Sequence, residues 1–208
     1  MTFWTANAAA VAAAYLLGSL PTGYLAGRLL KGIDIREHGS RSTGATNVLR
    51  TLGKAPALAV LLVDVLKGVA AVVFVGCLNE SSDRPDWMPW AVCLAGLAVL
   101  LGHSRSVWLG FTGGKSAATG LGVLLAISWP VGLGAAVAFG AVLAISRIVS
   151  LSSMVAALAA VALICTLEVP LAYGLLVIAG GLYVIALHRA NIRRLMTGTE
   201  PRLGAKLS

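Results

Sequence analysis

Two short segments of the chain combine glycines, small hydroxyls and fixed cations, the groups that together hold an anion. In "HGSRSTGATNVLR", residues 38–50, Ser40, Ser42, Thr43, Thr46 and Asn47 offer donors around Gly39 and Gly44, and Arg41 and Arg50 add fixed positive charge. Glycine lets backbone N–H groups approach an anion closely, and arginine grips a phosphate-like oxyanion through two parallel bonds. In "GFTGGKSAATGLG", residues 110–122, Gly113 and Gly114 precede Lys115 and Ser116 where an apolar run begins. Free N–H groups at a helix start, beside a lysine, form an anion cradle. The second segment is not a nucleotide P-loop, because Leu109 stands where that pattern requires glycine. Two plainer readings stay open: a polar loop against lipid head groups, and a glycine-rich turn with a snorkelling lysine.

Two more segments carry weaker signals. "SRIVSLSS", residues 146–153, brings Arg147 with Ser150, Ser152 and Ser153 to the start of an apolar run. Hydroxyls there often bond only their own backbone. In "LHRANIRRLMTGTE", residues 187–200, His188 and Asn191 share a helix face with Arg194 one turn on. That segment is either part of a site or an interfacial basic helix. His103, at the end of another run, is a site residue or an interfacial one. Asp64 and Lys67 are an i, i+3 pair inside a run; intramembrane charges are costly, so the two either neutralise each other or meet a substrate.

The elements that must position these residues follow from composition. Of 208 residues 58% are hydrophobic and 12% charged, with a mean hydropathy of +0.89. A bilayer is the solvent that accommodates this, and each span takes about 20 apolar residues. Apolar runs lie near Phe3–Leu30, Ala55–Leu78, Met88–Leu101, Ala117–Trp129, Pro130–Ile145, Ser150–Leu167 and Pro170–Leu187. Several are short, which implies tilting, thinning or re-entry. Charge decides whether residues 117–145 form one helix or two. With seven spans and the N-terminus outside, fourteen of the sixteen lysines and arginines fall on the cytoplasmic side, the exceptions being Lys67 and Arg84. Merging the fourth and fifth runs would invert everything after Arg147. The expectation is an all-α integral membrane protein forming one domain over residues 1–208, with the C-terminus and the polar loops in the cytoplasm. The first span is expected to be retained, since no charged region precedes it.

The net charge of +8 fits anionic head groups better than nucleic acid, because only 6% of residues are aromatic and none interleave with a basic stretch. Cys77, Cys93 and Cys165 lie inside apolar runs and predict neither disulfides nor a metal cluster. The loops on the cytoplasmic side offer only Asp34, Glu37 and Glu200 as carboxylates, too few for a metal-dependent transferase. A histidine five residues before an aspartate is also absent: Thr43, Trp108 and Arg193 occupy those positions. A phosphate or organophosphate transporter is the rival class, but the polar groups crowd one face and only Asp64 and Lys67 mark the midplane.

Taken in order, "GSLPTGYLAGRLLKGIDIREHGS", "GATNVLRTLGK", "DVLKG", "GHSRSVWLGFTGGKSAATGLG", "SLSS" and "HRANIRRLMTGTEPRLGAK" resemble the bacterial acyl-phosphate:glycerol-3-phosphate acyltransferases, the PlsY family. The resemblance covers nearly the whole chain. It implies a seven-span enzyme of the inner membrane with cytoplasmic active-site loops and no cofactor or metal. The implied reaction moves a fatty acyl group from acyl phosphate to the 1-position of glycerol 3-phosphate, releasing lysophosphatidic acid and phosphate. It also implies a functional link to an enzyme that makes acyl phosphate. The motif positions it marks as catalytic are Ser40, Arg50, Lys115, His188 and Asn191. Gly39, Arg41, Ser42, Thr46, Asn47, His103, Gly113, Gly114, Ser116 and Ser153 are marked as substrate-binding. The proton acceptor is either His188 or the donor phosphate. The chain departs from the family pattern at Arg41 and Ser42, where Gly-Asn is usual, and at Thr112 and Ser116, where lysine and glycine are usual.

Overall fold

The computed structural model describes residues 2–80 and 82–204. Every apolar run becomes helical, since a backbone in hydrocarbon must satisfy its own polar groups. The elements are α1 (Phe3–Ser19), α2 (Thr22–Lys31), α3 (Ala45–Thr51), α4 (Lys54–Asn79), α5 (Met88–Ser104), α6 (Ala117–Ile127), α7 (Trp129–Ser146), α8 (Val149–Ile164), α9 (Leu171–Leu187) and α10 (Arg189–Met196). Among the described residues there is no strand, only an isolated antiparallel bridge between Ser106 and Thr112.

Four stretches are long and apolar enough to cross a membrane: Phe3–Lys31, Lys54–Asn79, Pro85–Ser104 and Trp129–Ser146. A fifth is obtained if α9 and α10, bent by 58° at His188, count as one. The apolar α6 and α8 are shorter.

Two breaks refine the sequence reading. The first run divides at Leu20–Pro21, where proline removes a backbone donor and disfavours helix in the residue before it. The Leu20 carbonyl freed there accepts from Lys67 Nζ at 2.5 Å. The second break falls at Ser128, one residue before the expected Trp129–Pro130. Pro130 sits in the first turn of α7, the one place in a helix where a missing N–H costs nothing.

Helices approach closely where side chains are smallest. Gly68 of α4 lies on the backbone of Thr119 and Gly122, and Gly122 of α6 lies on that of Val65 and Val69. A Cβ on Gly68 would sit 2.2 Å from Thr119 O, so the α4–α6 seam admits only glycine there. The main core gathers α1, α4, α5, α6 and α9 around Val75, Ala95 and Val99. A second cluster joins α7, α8 and α9 through Val131, Ala135, Ala160, Ile164 and Val177. A third, of Ile35, Val48, Ala57 and Val60, fixes the first polar loop and α3 to the base of α4.

Candidate active site

A cavity of about 810 Å³ opens where α3, α6, α8 and α10 converge. Its polar end carries Ser40, Arg41, Arg50, Lys115, His188, Asn191, Arg194 and Glu200, and apolar side chains of α4, α6, α7, α8 and α9 line most of the rest. Of the positions marked as catalytic or substrate-binding, all line it except Gly113 and Gly114; Thr43, Lys67, Arg147 and Ser152 do not line it.

The first loop is folded around Asn47. This side chain is 1% exposed and its Nδ2 donates to the carbonyls of Ile35, His38 and Ser42 at 3.0, 3.0 and 2.9 Å. Its Oδ1 accepts from the Ser40 N–H at 2.8 Å. Asn47 is thus spent on shaping the loop. Gly39 has φ +57, and a Cβ there would meet Asn47 Oδ1 at 2.3 Å, so the turn requires glycine twice over. Ser42 continues the turn, its Oγ accepting from Gly44 N–H at 3.3 Å. The loop leaves Ser40, Arg41, Thr46 and Arg50 on the cavity. Burial pushes the Arg50 guanidinium below its usual range, and neighbouring Arg194 adds to this against the pull of Glu200.

The second segment works through its neighbours. Gly113 and Gly114 lie beneath the cavity: a Cβ on Gly114 would be 2.1 Å from His103 Nε2, and one on Gly113 would be 2.3 Å from the His103 carbonyl. They let the loop close over α5. Lys115 then projects into the site, with Nζ donating to Asn191 Oδ1 at 2.5 Å. Burial pushes its pKa down, Glu200 opposes this, and Arg194 and Arg50 reinforce it. Ser116 precedes α6 and its Oγ donates to Leu100 O at 2.7 Å. Ala117 and Ala118, at the start of α6, line the cavity beside Lys115.

Asn191 is held from its other side. Its Nδ2 donates to Glu200 Oε1 at 2.5 Å, and the same carboxylate accepts from Ser150 Oγ at 2.6 Å and Arg194 Nε at 2.7 Å. Because Glu200 takes the NH2 of the amide, the carbonyl oxygen of Asn191 must face Lys115. Burial alone would raise the Glu200 pKa, but the bonds from Ser150, Asn191 and Arg194 hold it below the usual carboxylate range. The segment carrying Glu200 is tied down by Leu203 N–H donating to Arg147 O at 2.7 Å. Sequence reading placed Glu200 only among residues too few for a metal. The available signal was a lone carboxylate following a run of arginines. Ser153 lines the cavity, but its hydroxyl bonds Val149 O at 3.0 Å; Ser150 is the serine of "SLSS" that engages the polar cluster.

His188 sits at the bend between α9 and α10, with Nδ1 2.7 Å from Val184 O. A carbonyl only accepts, so Nδ1 carries the hydrogen and Nε2 is left with its lone pair. Asp64 and Lys67 pair at 2.8 Å. Asp64 Oδ1 also accepts from Thr22 Oγ1 at 2.6 Å and lies 3.6 Å from His103 Nδ1. The pair holds the α1–α2 break, and Asp64 and His103 also reach the cavity lining. Among the described residues, no group of three His, Cys, Asp or Glu side chains is placed to hold a metal.

A family model for glycerol-3-phosphate acyltransferase matches residues 8–198. The chain belongs to this family. It is 71% identical to glycerol-3-phosphate acyltransferase 2 of Rhizobium johnstonii, over 98% of this chain and 99% of that one. Identity to the glycerol-3-phosphate acyltransferase of Trichormus variabilis is 57%, covering 96% and 93%. Among solved structures, the chain is similar to PlsY, an integral membrane glycerol 3-phosphate acyltransferase, in its glycerol 3-phosphate form: TM-score 0.87, 36% identity, 96% of each chain covered. The lysophosphatidic acid form gives a TM-score of 0.85 at the same identity and coverage.

The acyltransferase motifs converge on one cavity from four separate stretches of sequence. The end of the last motif, Ala205 and Lys206, lies outside the described residues. Two departures from the family pattern have a shared geometry: Arg41 has φ +59 and Ser116 φ +57. Each holds a left-handed backbone that glycine adopts freely, at a cost on the order of 1–2 kcal/mol for a residue with a side chain. The Leu100 bond compensates Ser116, whereas the Arg41 side chain faces the cavity. Thr112 lies outside the cavity, with Oγ1 donating to Leu109 O at 2.8 Å.

Proposed function

We propose that this acyltransferase takes its acyl group from acyl phosphate and delivers it to the 1-position of glycerol 3-phosphate, giving lysophosphatidic acid and inorganic phosphate. One observation carries the reading: a single cavity joins a cluster of cations to a long aliphatic slot, which suits two phosphates and one acyl tail. Arg50, Lys115 and Arg41 hold the two anions against their mutual repulsion. Ser40, Thr46 and Ser42 belong to the loop that receives one phosphate, and the start of α6 beside Lys115 receives the other. Asn191, oriented by Glu200, places the acceptor.

The acyl phosphate carbonyl is already activated, so no covalent enzyme intermediate is needed. The acceptor oxygen forms a bond to the acyl carbon, the bond from that carbon to the phosphate oxygen breaks, and the hydroxyl proton must leave. His188 Nε2 suits proton acceptance, and the departing phosphate is the other acceptor within reach. If His188→Ala leaves kcat unchanged and only raises KM, His188 orients the acceptor and the phosphate takes the proton.

The enzyme is placed in the bacterial inner membrane with seven spans, the N-terminus outside and the site facing the cytoplasm, as charge distribution favours. An enzyme that makes acyl phosphate is its functional partner. The deciding assay is phosphate release from palmitoyl phosphate by purified protein, with and without glycerol 3-phosphate, beside Lys115→Ala. Acceptor-dependent release that falls at least about 100-fold in the variant supports the reading. Full turnover by Lys115→Ala would remove the lysine from the phosphate site. No release by folded wild-type protein would exclude acyl phosphate as donor.

A further inference from the structure

The aliphatic part of the cavity has a closed end, and the residues that close it are small. Ala135 of α7, Ala160 of α8 and Val177 of α9 line the cavity while being 3%, 2% and 4% exposed. The same three pack against Val131 and Ile164, which do not line it. Along α7 and α8 the lining therefore goes no deeper than Ala135 and Ala160, and on α9 it ends at Val177 and the adjoining Leu176. From the polar end, the run of α9 from His188 back to Val177 spans about 16 Å at the helical rise per residue. That is on the scale of an extended long-chain acyl group. The slot is walled by apolar side chains, so each added methylene is favourable until the chain reaches the floor. Beyond it, overpacking is costly.

We propose that Ala135, Ala160 and Val177 form a ruler that sets the acyl-chain length this enzyme accepts. The inference rests on the acyl-phosphate reading of the polar end. It commits the tail to the buried α7–α8–α9 floor rather than to the lipid-facing side of the cavity. On that other side, Leu58 and Leu61 of α4 line the space but are 56% and 40% exposed.

The test is the profile of kcat/KM for decanoyl, lauroyl, myristoyl, palmitoyl and stearoyl phosphate, measured on wild type, Ala160→Val, Ala160→Phe and Val177→Ala. A hydrophobic pocket discriminates a single methylene by about tenfold or more. Ala160→Val should accordingly lower palmitoyl relative to lauroyl phosphate by about tenfold, and Ala160→Phe should move the optimum further toward short chains. Val177→Ala removes two methyl groups from the floor and should raise stearoyl relative to palmitoyl phosphate. Should Ala160→Phe not fold, Ala160→Val and Val177→Ala carry the comparison with opposite expected signs. Wild-type profiles in both smaller variants, with turnover retained, overturn the ruler and send the tail out past Leu58 and Leu61. A wild-type enzyme that turns over no acyl phosphate overturns the donor assignment, and the ruler with it.

Discussion

Arg41 departs from the family pattern at a backbone position that favours glycine. A side chain held at φ +59 beside a cavity of anion-binding groups stores backbone strain where a ligand binds. Arg41→Gly should keep the thermal stability of the enzyme, because glycine adopts that backbone freely, while raising the KM of one phosphate substrate about tenfold, the value of one charged hydrogen bond. Unchanged KM values for both substrates would remove Arg41 from binding. Lys115 and Glu200 should bound the pH range of activity. The Lys115 pKa is lowered by burial, so its charge is lost as pH rises through a value below the ordinary lysine range. Substrate KM should climb there, and Lys115→Arg should move that alkaline limb upward. The folded-state pKa of Glu200 is depressed. Its stabilisation is thus complete above the unfolded carboxylate range and lost as pH falls through the lower folded value. Activity and melting temperature should fall together on the acid side. Glu200→Ala should cost kcat on the order of 100-fold at neutral pH, through misplacement of Asn191. An acid limb identical in wild type and Glu200→Ala would assign it to another group.

At the scale of elements, the buried Asp64–Lys67 pair couples α4 to the broken α1–α2 unit. Lys67 occupies the carbonyl freed at Leu20, and Asp64 holds Thr22 at the start of α2. Asp64→Ala strands an ammonium group and should destabilise the protein by about 3–5 kcal/mol, seen as a lowered melting temperature in detergent. Asp64→Leu combined with Lys67→Met should recover much of that loss. A double variant as unstable as the single one would show that the hydrogen bonds to α1–α2, rather than the uncompensated charge, dominate. Small residues do the complementary work: Gly68 and Gly122 bring α4 and α6 to backbone contact, which fixes the helix that begins two residues after Lys115.

For the whole molecule, the proposed orientation places every catalytic group on one side of the membrane. In a variant with Cys77, Cys93 and Cys165 replaced by alanine, a cysteine at Asp83 should react with a membrane-impermeant thiol reagent in intact spheroplasts. A cysteine at Arg202 should react only in inside-out vesicles. The reverse pattern would invert the seven-span topology.

The sequence by itself determined the membrane class, the apolar helices and the four motifs that supply the site, because composition, hydrophobic run length and clustered glycines, hydroxyls and cations are local properties. It also showed the Asp64–Lys67 pair, since their i, i+3 spacing lies within one helix. Only the tertiary structure decided which polar side chains face a ligand and which face each other. Asn47 looks like a donor in sequence but is spent on the loop, while Glu200, plain in sequence, orients Asn191 toward Lys115. The breaks at Leu20–Pro21 and Ser128 and the small floor residues of the cavity follow the same division. Hydrogen-bond partners and cavity ends are set by contacts between segments far apart in the chain, and no local pattern encodes them.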